Sequence, residues 1–153
     1  MTSSQTRAIL IAGTVLVLGA VNWSIFAKER IKAQGERVYL ELAPVDPRSL
    51  MQGDYMALRF VLAREISATE SGTAPLSVDS RGIATLSHSP KPGDLRIRYR
   101  LRNGEIWLGT NAYFFEEGKA GRYQRARYGE FRIDRDSGEA VLVALADENL
   151  DAK

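Results

Sequence analysis

The sequence predicts an all-β fold, a small sandwich or partly open barrel of antiparallel hairpins, preceded by one N-terminal transmembrane helix. Two observations predict it. Residues 8–27 carry no charged side chain, and beyond residue 36 short segments of alternating apolar and polar residues are separated by Gly, Pro and Asn turns. We therefore divide the 153 residues into an N-terminal tail (1–7), a transmembrane anchor (8–27), a tether (28–35) and an extracytoplasmic β domain (36–153).

The apolar segment 8–27 is long enough to cross a bilayer. Its 20 residues would span about 30 Å as an α-helix, the thickness of the hydrocarbon core. Trp23 suits the interfacial aromatic belt, and Lys28, Arg30 and Lys32 can reach the headgroups beyond it. The rival interpretation is a cleaved signal peptide, whose apolar region is normally about 7–15 residues long. We expect an uncleaved anchor and, because the tail before it is short, a domain outside the cytoplasm.

The composition argues against several functional classes. Residues 1–35 carry a net charge of +3, which leaves 17 basic and 18 acidic residues for the remainder, a net charge of −1. The β domain therefore has no basic excess for nucleic acid. The chain lacks cysteine, and its only histidine, His88, lies in a turn between two serines. No residues have the spacing of a metal site or a catalytic triad, so we expect no enzyme activity, no cofactor, no metal and no nucleic-acid partner.

A structured corner is expected within residues 44–60. Asp46 can cap a helical turn that begins at Pro47, and Gly53 can end that turn in the left-handed conformation. Alternating apolar residues predict a strand that enters the corner at 38–42 and another that leaves it at 54–63.

The clearest hairpin turns at Asn103-Gly104. This pair favours the left-handed conformations of a type I′ turn, here between strands 94–102 and 105–115. A two-residue loop fixes the register, so that Arg102 stands opposite Glu105.

The same register gathers four arginines on one face of the first strand, opposite the core face. Such a face could bind an anionic partner, whether lipid headgroups, an acidic loop or a polyanion. It could instead be a solvated, paired face that needs no ligand. Glu105 then opposes one arginine, Trp107 stacks on another, and carboxylates from neighbouring strands neutralise the rest. We favour this second interpretation. The four residues are Arg96, Arg98, Arg100 and Arg102.

The remaining segments are expected to form turns, loops and two further hairpins. They are a surface loop at 64–75, a hairpin at 76–86 that turns at 79–82, a turn at 88–93, a charged loop with a short helical turn at 116–127, and a hairpin at 128–146 that turns at 135–138.

The corner also carries a family resemblance. Gly53-Asp54-Tyr55-x-x-Leu58-x-Phe60, preceded by Pro44-Val45-Asp46-Pro47-Arg48, resembles the family named for its GDYXXLXY motif. The resemblance extends to Glu117-Gly118 and Tyr128-Gly129-Glu130, but the chain has Phe60 where the motif ends in Tyr. It implies a small bacterial protein anchored by a single pass in the inner (cytoplasmic) membrane, without an established biochemical activity. It marks as candidate site residues Pro44, Asp46, Pro47, Arg48, Gly53, Asp54, Tyr55, Leu58 and Phe60.

We therefore expect a membrane-anchored, non-enzymatic accessory or interaction domain of the cell envelope. Its partner, as the resemblance and the anchor imply, is an integral membrane protein. The alternative is an envelope binding domain for a small or anionic ligand, held at the corner by Arg48, Asp54 and Tyr55.

A third interpretation is a catalytically inactive domain with a fold similar to that of membrane-anchored signal peptidases. In those enzymes the nucleophilic serine would lie eight residues before the glycine, where this chain has Val45 before Gly53. Their general-base lysine would follow within a few strands, yet no lysine occurs between Lys32 and Lys91.

Tyr55 has an orientation that the strand pattern predicts. In a regular strand it points away from Leu58 and Phe60. It is then either covered by the corner segment 44–51 or offered to a partner, and we favour the covered position.

Overall fold

The computed structural model describes residues 3–43, 51–52 and 55–152. Within these residues, one long helix precedes ten short strands and two short helices. The elements are α1 Ser3–Gln34, β1 Glu36–Glu41, β2 Met51–Gln52, β3 Tyr55–Ala57, α2 Val61–Glu65, β4 Gly72–Val78, β5 Ala84–Leu86, β6 Arg96–Arg102, β7 Glu105–Trp107, β8 Ala112–Phe114, α3 Ala120–Tyr123, β9 Tyr128–Ile133 and β10 Ala140–Ala146. This confirms an all-β fold preceded by one apolar helix.

The helix α1 exposes apolar side chains on all sides. Every residue from 9 to 26 is exposed, and Trp23 reaches 75%. By length and composition the segment Ile9–Gln34 could cross a membrane, although a signal sequence near the N-terminus meets the same criteria. The amide of Asn22 donates to the carbonyl of Leu18 at 2.9 Å, so this polar group has a partner within its own helix.

The segment expected as a tether continues α1 and packs against the β domain. Ile31 is buried, and the ammonium group of Lys28 donates to the carboxylate of Glu139. The helix ends at Gly35, whose N–H donates to the carbonyl of Ile31 at 2.7 Å. A Cβ at Gly35 would lie 2.5 Å from that carbonyl oxygen and 3.1 Å from Cβ of Arg132, so glycine is required where the helix passes into β1.

Three small sheets surround one hydrophobic core. Their strand orders are β1-β9-β10, β2-β3-β8 and β5-β4-β6-β7, and all the pairings within them are antiparallel. Two isolated β-bridges connect these sheets with neighbouring segments. Leu42, just after β1, bridges to Phe60, just before α2, and Tyr39 of β1 bridges to Ile83, just before β5. The largest fully buried side chains are those of Phe60, Phe131, Leu40, Ile97, Leu108, Ile133, Leu145 and Val38. The apolar faces of the strands therefore meet in one cluster.

The predicted hairpins are confirmed. Asn103 and Gly104 have φ angles of 51° and 78°, as a type I′ turn requires. Arg102 pairs with Glu105 and the pairing continues to Trp107. The turns predicted at 79–82 and 135–138 also connect paired strands, and Gly138 adopts a φ of 70° there.

The predicted strand 54–63 is wrong beyond Ala57. The strand β3 ends there, and Val61–Glu65 is helical. The alternating apolar residues still reach the core, because the chain at Phe60 bridges to Leu42 and the short helix then turns the next apolar side chain inward. Met56, Leu58, Phe60 and Leu62 are all at most 3% exposed.

The predicted return strand 105–115 is also interrupted. It pairs with β6 only as far as Trp107, and residues 112–114 form β8 in a different sheet. Gly109 lies at the break with a φ of 72°, and a Cβ there would lie 2.9 Å from the carbonyl oxygen of Ala140. The chain bends at this close contact and leaves the hairpin.

The predicted surface loop 64–75 ends earlier than expected. Residues 72–75 belong to β4 and pair with β6, so that Pro75 stands opposite Arg96. The carbonyl of Pro75 accepts from the N–H of Ser87 at 2.9 Å.

Two phenylalanines allow the core to be tested with one chemical change. Phe60 is 2% exposed and contacts Phe131 edge to face, whereas Phe114 is 74% exposed. We expect Phe60→Ala to lower the free energy of unfolding by about 3–5 kcal/mol, and Phe114→Ala to change it by less than about 1 kcal/mol. Urea denaturation of the full chain in detergent, followed by circular dichroism, measures both. Similar losses in the two variants would contradict this packing.

Candidate functional site

The motif residues divide between the core and the surface. Leu58 and Phe60 are each 2% exposed, so neither is accessible to a ligand or partner. Tyr55 is half-buried on β3. The other predicted corner residues, with the cap and the glycine stop, lie outside the described residues. They are Pro44, Asp46, Pro47, Arg48, Gly53 and Asp54.

Two stretches of the resemblance meet inside the core. The rings of Phe60 and Phe131 lie edge to face with centroids 5.3 Å apart. Gly129 lies against both, because a Cβ there would be 3.1 Å from atoms of Phe60, Phe131 and Leu142. The motif and the Tyr128-Gly129-Glu130 stretch therefore serve one packing contact, which leaves little room for a side chain at Gly129.

The next residue, Glu130, is a charged residue in the interior that sequence reasoning did not identify. It is 9% exposed, and its carboxylate lies 3.8 Å from the guanidinium of Arg132. Arg132 also donates to the carbonyl of Gly35 at 3.4 Å. This pair therefore connects β9 to the point where α1 ends.

Tyr55 packs against an exposed aromatic side chain. It pairs with Phe114 across β3 and β8, and the ring centroids lie 5.8 Å apart at 40°. Phe114 is the most exposed aromatic residue in the described part of the β domain, at 74%. We call these two residues the aromatic pair. Tyr55 was predicted to point away from Leu58 and Phe60, and its position beside the exposed Phe114 agrees with that prediction.

Sequence reasoning missed Phe114, although a signal was present. Tyr113, Phe114 and Phe115 are consecutive, and consecutive residues of a strand face opposite sides, so at least one of the three must face outward. Tyr113 and Phe115 both pack on Tyr123, with centroids 5.3 and 5.2 Å from it. Burial and the hydrogen bond with Tyr123 raise the pKa of Tyr113. Phe114 is left on the outer side.

The four arginines of β6 lie on one exposed face, as predicted. Ile97 between them is fully buried, which is the alternation of a strand with one face on the core. Three of the four, Arg98, Arg100 and Arg102, line a groove of about 320 Å³. Lys28 of α1, Trp107 of β7 and Glu139 complete its charged and aromatic walls. We call this the basic groove.

The arginine face is not neutralised by carboxylates in the part of the chain that the structure describes. There, no carboxylate oxygen lies within 4.0 Å of a guanidinium nitrogen of Arg96, Arg98, Arg100 or Arg102. Glu105 stands opposite Arg102 in the ladder, but its carboxylate lies 3.8 Å from Arg59. The carboxylates that the favoured interpretation expected beside these arginines are therefore absent from the described residues, whereas the expected stacking on Trp107 is present.

The partners that the structure does give these arginines are uncharged. The guanidinium of Arg102 lies over the ring of Trp107, 5.2 Å from its centroid. Arg96 donates to the hydroxyl of Thr73 at 3.3 Å. In the ladder Trp107 stands opposite Arg100, so the stacking follows the diagonal and not the direct cross-strand pair.

The basic groove lies where α1 joins the domain. The carbonyl of Gly138 accepts from the N–H of Arg98 at 2.7 Å, and the next residue, Glu139, pairs with Lys28. Residues 9–26 of α1 are exposed throughout, so the described domain covers the helix only beyond the apolar segment. From this junction β1 and the residue after it extend over about 20 Å to Leu42, which bridges to Phe60.

Histidine, cysteine and carboxylate side chains are the groups that could bind a metal ion. His88 is exposed in a bend. Among the described residues, no group of three or more His, Cys, Asp or Glu side chains is placed to hold a metal ion.

The fold and these surfaces define a small all-β domain behind one helix that is long and apolar enough to cross a membrane. Residues 17–145 match the model of the family described as GDYXXLXY protein. The match covers more than half of the chain, and the protein therefore belongs to this family, as the motif indicated. Comparison with curated proteins and with solved structures found no match.

The diagonal stacking in the basic groove can be tested by two double-mutant cycles. We expect Arg102→Gln and Trp107→Leu to be coupled by about 0.5–1 kcal/mol, because the cation lies over the ring. The matched cycle of Arg100→Gln with Trp107→Leu should give a coupling within about 0.3 kcal/mol of zero. Urea denaturation followed by circular dichroism supplies the free energies. A larger coupling for Arg100 would show that the direct cross-strand pair forms instead.

Proposed function

We propose that this protein is a membrane-anchored, non-enzymatic accessory domain of the bacterial cell envelope that binds an integral membrane protein. In this proposal α1 is an uncleaved signal-anchor in the inner membrane and the β domain lies outside the cytoplasm. The aromatic pair of Tyr55 and Phe114 is the contact surface.

The observation that carries this proposal is the exposure of Phe114 beside the motif. An aromatic ring left 74% exposed keeps most of its apolar area in water, and that area is available for burial against a partner. Aromatic side chains are enriched among the residues that dominate binding energy at interfaces. Tyr55 supports the ring from one side, so the surface is already in place before a partner arrives.

The anchor makes a small contact surface sufficient. Two proteins held in one membrane meet at a high effective concentration, so that a modest interface can give a stable complex. A partner with its own membrane segments would share this advantage, which favours an integral membrane protein.

The division of the motif supports a role in binding over one in catalysis. Leu58 and Phe60 are core residues, and Gly129 is held by packing against Phe60. Of the motif residues that the structure describes, Tyr55 alone reaches the surface, where its ring contacts Phe114. The described part of the motif therefore shapes the domain and presents an aromatic surface.

Site-specific photo-crosslinking tests this function. A photoreactive phenylalanine analogue is placed at Phe114 and, as a control, at Val78, which is 38% exposed on a different sheet. After irradiation in intact membranes, we expect position 114 to cross-link to an integral membrane protein and position 78 to give no such product. The mass of the captured chain should show that residues 1–27 are retained.

Two results would contradict the proposal. Equal cross-linking at both positions would indicate random collisions, and the absence of a membrane-protein product at position 114 would remove the partner. A Phe114→Ala variant with the photoreactive analogue moved to the neighbouring Tyr55 provides the functional control, because it should lose capture while the melting temperature of the domain is unchanged.

A further inference from the structure

The basic groove holds an excess of positive charge on a small surface. Lys28 is paired with Glu139, so these two charges offset each other. Arg98, Arg100 and Arg102 remain, and no carboxylate of the described residues lies within 4.0 Å of them. The groove therefore carries about three uncompensated positive charges, although the domain as a whole carries a net negative charge.

The spacing of these arginines suits an oxyanion. Side chains two residues apart on a strand emerge from the same face about 7 Å apart, and a guanidinium is long and forked enough to donate two hydrogen bonds to one phosphate. Arg98 and Arg100 can therefore converge on a single phosphate group. The volume of about 320 Å³ is roughly ten times the 30 Å³ occupied by a liquid water molecule, which leaves room for atoms bonded to that phosphate.

The groove lies at the level where a membrane-spanning α1 would leave the hydrocarbon. Lys28 in its wall directly follows the uncharged segment 8–27. The buried Ile31 holds the next turn of the helix against the domain. The groove is therefore built partly from the helix that would enter the bilayer, and Trp107 beside it is of the residue type that prefers the membrane interface.

We propose that the basic groove binds the phosphate of an anionic phospholipid in the leaflet that α1 enters. Arg98 and Arg100 hold the phosphate oxygens, and the walls around them are formed by Arg102, Trp107 and the paired Lys28 and Glu139. Lipid headgroups lie just outside the hydrocarbon, at the height where α1 would leave it, and an anionic lipid places its negative phosphate there. This proposal rests on the anchoring part of the proposed function but not on the protein partner, because it uses a different surface.

The test uses Trp107 as a local reporter of lipid. The chain has two tryptophans, so a Trp23→Phe variant of the full chain leaves Trp107 alone. This chain is placed in phosphatidylcholine bilayers that contain a small fraction of either phosphatidylglycerol or phosphatidylcholine, each spin-labelled near the top of one acyl chain. Flotation of the vesicles with the protein after an alkaline wash, which removes peripherally bound protein, confirms that the helix is inserted.

We expect labelled phosphatidylglycerol to quench Trp107 more strongly than labelled phosphatidylcholine. The extra quenching by phosphatidylglycerol should decline as the salt concentration rises from 0.1 M to 1 M, because the Debye length shortens from about 10 Å to about 3 Å. Arg98→Gln with Arg100→Gln should lower the preference for the anionic lipid about 30-fold, because one basic residue near an anionic surface contributes about fivefold. The salt measurement needs no variant of the groove.

The matched control also removes two positive charges, but from arginines that precede β9, away from the groove. Arg122 and Arg125 are both exposed. They lie close in sequence to Arg127, whose N–H donates to the carbonyl of Ala146 at the end of β10. Arg122→Gln with Arg125→Gln should leave the preference unchanged.

Several results would overturn the proposal. These are equal quenching by the two lipids in the parent chain, an equal loss in the control variant, and complete removal of the preference by inorganic phosphate at low bulk concentration. The last result would assign the groove to free phosphate. Failure of the chain to float with vesicles would overturn the anchor as well, whereas flotation without a lipid preference would overturn the groove alone.

Discussion

The contact between the last turns of α1 and the β9–β10 hairpin determines how the rest of the molecule is placed. Ile31 is buried in this contact, and Lys28 pairs with Glu139. Gly35 lets the chain pass from helix to strand at a point where a side chain would collide with the helix. Because the helix runs directly into the domain, the domain has a defined orientation with respect to the apolar segment. A flexible tether would have left that orientation free.

Under the two proposals, the basic groove and the aromatic pair have different tasks. The basic groove shares Lys28 with the helix, so its position relative to the bilayer follows from the position of the helix. The aromatic pair belongs to the sheet formed by β2, β3 and β8, and a partner protein can reach it independently of lipid. We infer that the groove orients the domain and the aromatic pair recognises the partner.

Two of the three motif residues that the structure describes, Leu58 and Phe60, are core residues. Phe60 takes the place of the final tyrosine of the motif and lies edge to face against Phe131. At 2% exposure its ring serves the core, and the core requires no hydroxyl group there. A side chain at Gly129 would press against the same two rings. These contacts bring residues that are far apart in the sequence into one part of the core.

The sequence predicted best those features that depend on neighbouring residues. Asn103-Gly104 imposes a turn by its own conformational preference, so the hairpin and its arginine face could be predicted. The alternation around Phe60 correctly indicated which residues are buried, but it could not show that a helix would deliver Leu62 to the core. Alternating apolar residues show which side chains are buried, but both a strand and an irregular segment can place them in the core.

Features that depend on distant contacts could not be predicted. The return strand breaks at Gly109 because Ala140 approaches it from another hairpin. The last turns of α1 are stabilised by contacts of Ile31 and Lys28 with the β domain, which local sequence does not reveal. Glu105 turns to Arg59 on a different element, which leaves the arginine face unpaired. Each outcome depends on the tertiary arrangement.

The central claim is that α1 fixes the orientation of the domain relative to the bilayer, so that the basic groove lies at the membrane surface. The chain has no cysteine, so single cysteines at Asp136, in the β9–β10 turn, and at Arg125, beyond the other end of β9, can each carry a spin label. Relaxation of each label by nickel ions chelated on lipid headgroups reports its distance from the bilayer. We predict strong relaxation at 136 and weak relaxation at 125, because β9 separates them by about 17 Å. Equal relaxation at the two positions would contradict the account.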